Sequence, residues 1–198
     1  MSRPRNLLLA SLAASCCLLS SCGSEARGPY NAEAAEQRDM VKAEELYQQA
    51  VATIAGDPEQ AKTLLREALG FDLYHGAAHN NLGVLLLGEG RLYDAAEEFE
   101  WARKLMPGHP EPRVNLAITL ERGGKHADAM DAAKTALEIR PGHLGAMQAL
   151  AYIQVREGLE DKSTRDYLDA IVARADDAVW QDWAARQRLR LDSKVLAP

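Results

Sequence analysis

The chain has 198 residues, 47% of them apolar and 26% charged, with a formal net charge of −6, a balance that suits one folded domain or a short repeat array. Aromatic residues make up only 6% while Ala recurs throughout, which favours closely packed helices over a sheet with bulky cross-strand pairs. There is no basic stripe and no run of five or six like charges, so the electrostatic footprint of nucleic-acid binding is missing.

The first segment in chain order is a leader. Arg3 and Arg5 give a positive start, and Leu7 to Leu19 is an apolar run of 13 residues, short of the roughly 20 that a membrane-spanning helix needs. It reads as a secretory signal rather than a transmembrane anchor. It ends in Leu19-Ser20-Ser21-Cys22. This tetrad resembles the bacterial lipobox, and the resemblance implies a lipoprotein signal peptide over 1–21, cut before a diacylglycerated Cys22. Several acyl chains, at about 0.8 kcal/mol per buried methylene, would anchor the protein durably. The alternative is a plain secreted protein whose Cys22 stands there by chance. Cys16 and Cys17 leave with the leader, so no thiol remains for a disulfide, a redox pair, a Cys-ligated zinc or a nucleophile. Loss of Arg3 and Arg5 takes the formal charge from −6 to −8. Gly23 stands where an Asp commonly retains lipoproteins in the inner membrane, so the resemblance implies an outer-membrane protein facing the periplasm. Residues 22–31 (CGSEARGPYN) read as a flexible tether.

The remainder, 32–198, has an internal period. Pro107 and Pro141 stand 34 residues apart, as do Leu82 and Leu116, Gly90 and Gly124, Ala95 and Ala129, and Ala102 and Ala136. Within 76–107, Leu82-Gly83, Ala95, Phe99, Ala102 and Pro107 fall at fixed spacings, with His79 at a position that favours Trp and Leu86 at one that favours Tyr. This pattern resembles the tetratricopeptide (TPR) repeat. The resemblance implies an all-α fold: a right-handed α-solenoid of about three to four helix-turn-helix repeats with a C-terminal capping helix. The repeats fall at about 42–75, 76–109, 110–143 and 144–177. Gly83 and Ala95 would let the two helices of a repeat approach, Phe99 would fill the gap to the next repeat, and Pro107 stops a helix.

The outer repeats are less regular. The first keeps Gly56, Ala61, Leu65 and Ala68, and Asp57-Pro58-Glu59-Gln60 starts its second helix with an N-cap Asp and a first-position Pro. The third has Ala133 in place of Phe. The fourth carries Leu150-Ala151, Gly158, Tyr167 and Ala170 in phase. A capping helix follows at about 178–192, with Trp180, Trp183, Gln187 and Leu191 near one face and Arg174, Arg186, Arg188 and Arg190 around the others. The two Trp are either its apolar underside or an aromatic binding platform.

TPR stacks bind peptides or helices in a concave groove lined by the first helix of each repeat. The phase places Asn80, Val84 and Leu87, then Val114, Ile118 and Glu121, then Gln148, Tyr152 and Val155 on that face. Asn81 and Asn115 follow as candidates for bonding a peptide backbone. The apolar members are either groove or ordinary inter-helix core. Some TPR domains clamp acidic C-termini with cations and amides; here the matching positions hold Leu46, Ala50, Asn81, Glu111 and Asn115. The cations are missing, so a partner is expected to present an apolar or amphipathic strip instead.

The chemistry-bearing residues are few. His75, His109 and His143 form a 34-residue series, either a metal- or pH-responsive column or helix-start residues repeated with the repeat. Successive repeats would hold them roughly 10 Å apart, too far for one metal. His75 and His79 have metal-site spacing but offer only two ligands, and His126 sits in an exposed-looking turn. No nucleophile motif, HExxH, P-loop or GxGxxG is present. The expectation is therefore a non-enzyme without cofactor, metal or nucleic acid: a lipid-anchored scaffold or assembly factor of the cell envelope, with an envelope protein as partner.

Overall fold

The computed structural model describes residues 38–195. The leader 1–21, Cys22 and the tether 22–31 lie outside the described residues. Within them the fold is all-helical: α1 (Met40–Thr53), α2 (Pro58–Phe71), α3 (Gly76–Gly88), α4 (Leu92–Leu105), α5 (Glu111–Arg122), α6 (His126–Ile139), α7 (Leu144–Glu157), α8 (Lys162–Arg174) and α9 (Ala178–Val195). Each helix packs on the next in sequence, and α3 also meets α5, and α5 meets α7. That pattern defines a solenoid in which odd-numbered helices line one face and even-numbered helices the other.

Helix starts follow from local chemistry. Asp39 and Asp57 accept a hydrogen bond from the backbone N–H three residues on, at 2.9 and 3.0 Å, which satisfies one of the free donors of a first helical turn. Pro58 stands just inside α2. Asp161 and Thr164 cap α8 reciprocally, each side chain bonding the other's backbone N–H.

The turns inside repeats two to four are one turn used three times. Gly90, Gly124 and Gly158 have φ of 76°, 75° and 68°, left-handed values that cost residues with a Cβ. The residue after each glycine returns a bond to the helix: Arg91 N–H to Leu86, Lys125 N–H to Leu120, and Leu159 N–H to Gln154, at 3.0, 2.8 and 2.9 Å. This is the Schellman closure of a helix C-terminus. Gly56, one period earlier, lacks it, and Gly56 N–H bonds Thr53 instead.

Small residues let the helices approach. Ala61, Ala95 and Ala129, and likewise Ala68, Ala102 and Ala136, are fully buried. Phe99 is buried too, and its ring lies on Gly83 of its own repeat: a Cβ at 83 would come within 2.7 Å of Phe99 Cε1. The ring therefore seals the helix crossing inside its own repeat. Repeat three has Ala117 and Ala133 at these two positions, both buried.

Repeat four departs from the expected phase. Thr164, Leu168 and Ile171 are the fully buried residues of its second helix, α8, each 35 positions after Ala129, Ala133 and Ala136. Tyr167 and Ala170, the in-phase expectation, are only half-buried. The loop after Gly158 is longer than its counterparts, so α8 reaches its inner face one residue late. Leu168, Ile171 and Ala151 then pack with Ala184 of α9, and Trp180, Trp183 and Leu191 lie partly buried against that cluster.

His79 occupies the Trp position and is completely buried. Its Nε2 donates to the Leu73 carbonyl at 2.9 Å, and its Nδ1 lies 2.6 Å from Glu98 Oε2. A carbonyl only accepts, so Nε2 carries the hydrogen of that bond. The imidazole stacks on Trp101 at 5.5 Å and 9°. It thus serves as a polar core ring, not as a partner for His75 in a metal site.

Candidate partner-binding groove

The expected groove residues separate into three groups. Leu87 and Val114 are buried, 9% and 6% exposed, and Val114 packs with Ala136 and Ala146: they belong to the inter-helix core. Val84 and Tyr152 are open, at 45% and 37%, while Ile118 and Val155 are half-buried. Val84, Ile118 and Tyr152 stand 34 residues apart on α3, α5 and α7, so the solenoid repeats one half-exposed apolar position along its odd-helix face.

The amides bond one another across helices. Asn115 Nδ2 donates to Asn80 Oδ1 at 3.0 Å, Asn80 Nδ2 to Asn81 Oδ1 at 3.3 Å, and Asn81 Nδ2 to the Tyr47 hydroxyl at 3.3 Å. A ladder thus runs from α1 through α3 to α5. Tyr47 was not among the expected residues, although it precedes Asn81 by one period of 34. The amides therefore hold the repeats in register, and a peptide would meet an ordered ladder rather than loose side chains.

Further along, Val114, Ile118, Glu121, Gln148 and Tyr152 come together around a groove of about 330 Å³ between α5 and α7, to which α9 adds Trp180. Val84, Leu87 and Val155 are not part of its lining. Glu121 is largely buried and forms an ion pair with Arg156 of the next repeat. Tyr152, Trp180 and Trp183 make an aromatic cluster with centroids 5.3–6.4 Å apart, distances at which edge-to-face rings attract. Trp180 is both underside and lining, a double role that an i, i+3 Trp pair does not disclose by spacing alone. At the clamp positions Leu46 and Ala50 are buried.

The histidine series has helix-capping work. His75 and His143 are the N-caps of α3 and α7, their Nδ1 atoms accepting from Ala78 and Ala146 N–H at 3.1 and 3.2 Å. His75 Nε2 also meets Glu44 at 2.9 Å; bonds from Gln48 and His75 hold the Glu44 carboxyl below its ordinary range. His109 is exposed, since Pro110 takes the cap position of α5. His126 opens α6, half-buried, with Nε2 3.6 Å from Glu157. Among the described residues no group of three or more His, Cys, Asp or Glu is arranged to hold a metal.

The repeat has a counterpart among known families. The tetratricopeptide-repeat model matches residues 55–100 and 81–144. Residues 55–144 are similar to tetratricopeptide repeats. Solved structures agree on the fold of the TPR array. A crystal structure of MamA is similar at TM-score 0.61 and 21% identity, covering 65% of this chain and 77% of that one. The first TPR of Spaghetti (RPAP3), bound to the HSP90 peptide SRMEEVD, is similar at TM-score 0.59 and 16% identity over 62% of this chain and 98% of that one. The O-GlcNAc transferase of Thermobaculum terrenum is similar at TM-score 0.63 and 25% identity, over 70% of this chain but only 27% of the transferase. No curated protein matches the chain.

Proposed function

We propose that the chain is a lipid-anchored interaction scaffold or assembly factor of the bacterial envelope, binding a partner peptide or helix along the odd-helix face of its TPR array. The observation that carries the binding part is the aligned Val84, Ile118 and Tyr152, which leaves an apolar strip open to solvent. Such a strip suits an amphipathic partner segment. The TPR domain solved with a bound HSP90 peptide shares the fold and supports this reading. The anchor rests on the Leu19-Ser20-Ser21-Cys22 tetrad, and with Gly23 it argues for the outer membrane, facing the periplasm, and for an envelope protein as partner.

The two halves of the reading have separate tests. Cys22→Ala should move the protein from the membrane fraction to the soluble fraction on centrifugation; retention in the membrane would contradict the lipid anchor. Val84→Glu with Ile118→Glu should abolish capture of the partner from envelope extract while the helical circular dichroism persists. Undiminished capture by the folded variant would place binding on another face.

A further inference from the structure

The groove between α5, α7 and α9 differs from the rest of the odd-helix face in its walls and its charge. Ile118, Tyr152 and Trp180 give it an apolar and aromatic lining around about 330 Å³, room for one large side chain. Tyr152 remains 37% exposed although it touches both tryptophans, so an aromatic surface is open at the groove. Of the two charged groups in the lining, Glu121 is engaged by Arg156. Arg122, in the last turn of α5, is exposed and forms no ion pair with a carboxylate among the described residues. The groove therefore combines an aromatic wall, a neutralised ion pair and one available guanidinium. Tyr, Trp and Arg are the residue types that most often dominate binding energy at protein interfaces.

Resting on the reading of this face as the partner-binding face, we propose that this end of the groove takes a peptide segment in which a bulky apolar side chain stands next to a carboxylate, the apolar chain packing on Tyr152 and Trp180 and the carboxylate meeting Arg122. Buried apolar surface supplies the attraction, and the planar guanidinium suits a carboxylate in two-point contact. An extended chain advances about 3.3–3.6 Å per residue, so the carboxylate belongs within about two residues of the apolar anchor. The chain as a whole carries −6, and its overall field alone would select basic peptides. An acidic preference at this position therefore runs against the bulk charge, which makes it diagnostic. The cation lies at the end of α5, away from the clamp positions at Leu46, Ala50, Asn81, Glu111 and Asn115, so the carboxylate need not be a chain terminus.

The test is panning of a displayed library of random seven-residue peptides against the full chain and three variants: Arg122→Glu, Tyr152→Ala, and Val84→Glu combined with Ile118→Glu. Recovered peptides should carry Phe, Trp, Leu or Met within two positions of Asp or Glu at least ~5-fold above library frequency, the range of one such contact. Arg122→Glu, an exposed change that keeps the helical circular dichroism, should shift the recovered charge from Asp and Glu to Lys and Arg. Tyr152→Ala should remove the apolar preference. The proposal is overturned by a recovered set without the apolar–acidic pairing, or by one that Arg122→Glu leaves unchanged. Peptides that depend on Val84 and Ile118 but ignore Arg122 and Tyr152 would sink this inference and leave the groove reading standing. Peptides indifferent to all four residues would remove both.

Discussion

Gly83 and Phe99 show how one buried contact sets the identity of two residues. A methyl at 83 would lie 2.7–3.0 Å from three atoms of the Phe99 ring, well inside van der Waals contact, and the ring is fully buried with little room to move. Gly83→Ala should therefore destabilise by about 1–3 kcal/mol, the range for overpacking, and Phe99→Ala by about 3–5 kcal/mol. The double variant reproduces the Ala117/Ala133 arrangement of repeat three. In the Phe99→Ala background the added methyl fills space and a helical Ala gains up to about 1 kcal/mol over Gly, so the sign of Gly83→Ala should reverse. Urea unfolding of the four proteins checks this; additive costs would mean that the two side chains do not compete for one space.

At the scale of the helix, α8 offers a pH test. Bonds from the Ser163 hydroxyl and the Thr164 backbone N–H hold the Asp161 carboxyl below its ordinary range. A carboxyl depressed in the folded state contributes stability that is complete above its unfolded value of about 4 and is lost as pH falls through its folded value. Asp72 behaves alike. Burial pushes it up, but Arg38, bonded at 2.8 and 3.1 Å, and the Tyr74 N–H outweigh burial and hold it down. Thermal melting should thus be flat from pH 7 to about 5 and fall steeply below about 4. Asp161→Asn keeps a cap acceptor without the charge, so its melting curve should depend less on pH below about 4; an identical acid profile would assign the loss elsewhere.

The helices also show what the sequence disclosed and what it hid. The period of 34 is carried by Gly90, Gly124 and the paired alanines, because a turn with positive φ and a close crossing each admit few residues. In repeat four, Tyr167 and Ala170 continue the pattern by residue type, yet the longer loop after Gly158 turns Leu168 and Ile171 inward. A one-residue slip leaves composition unchanged, so only the packing reveals it. On the groove side, phase placed Asn80, Asn81 and Asn115 on a face but not in contact with one another. A hydrogen-bond partner one period away depends on the stagger between repeats, which periodicity does not encode.

For the whole array, α9 matters more than its length suggests. It covers Ala151, Leu168 and Ile171, and solenoids whose terminal repeat is stripped of its cap expose the same surface that inner repeats bury. Ending the chain after Asp177 should lower the melting temperature, with losses of up to about 1.5–3 kcal/mol for each of Leu168 and Ile171 that becomes exposed. It should also promote self-association in gel filtration. A truncated protein that melts and elutes like the parent would show that α9 contributes nothing to the stack.

That α9 has an odd number has a further consequence for growth. The described array begins with an odd-numbered helix, α1, and ends with another, while inside it odd and even helices alternate. If two copies met end to end, α9 of one would face α1 of the other, and the alternation would break at the seam. Open-ended polymers arise when the two ends of a repeat array are complementary, whereas the described array presents an odd-numbered helix at both ends.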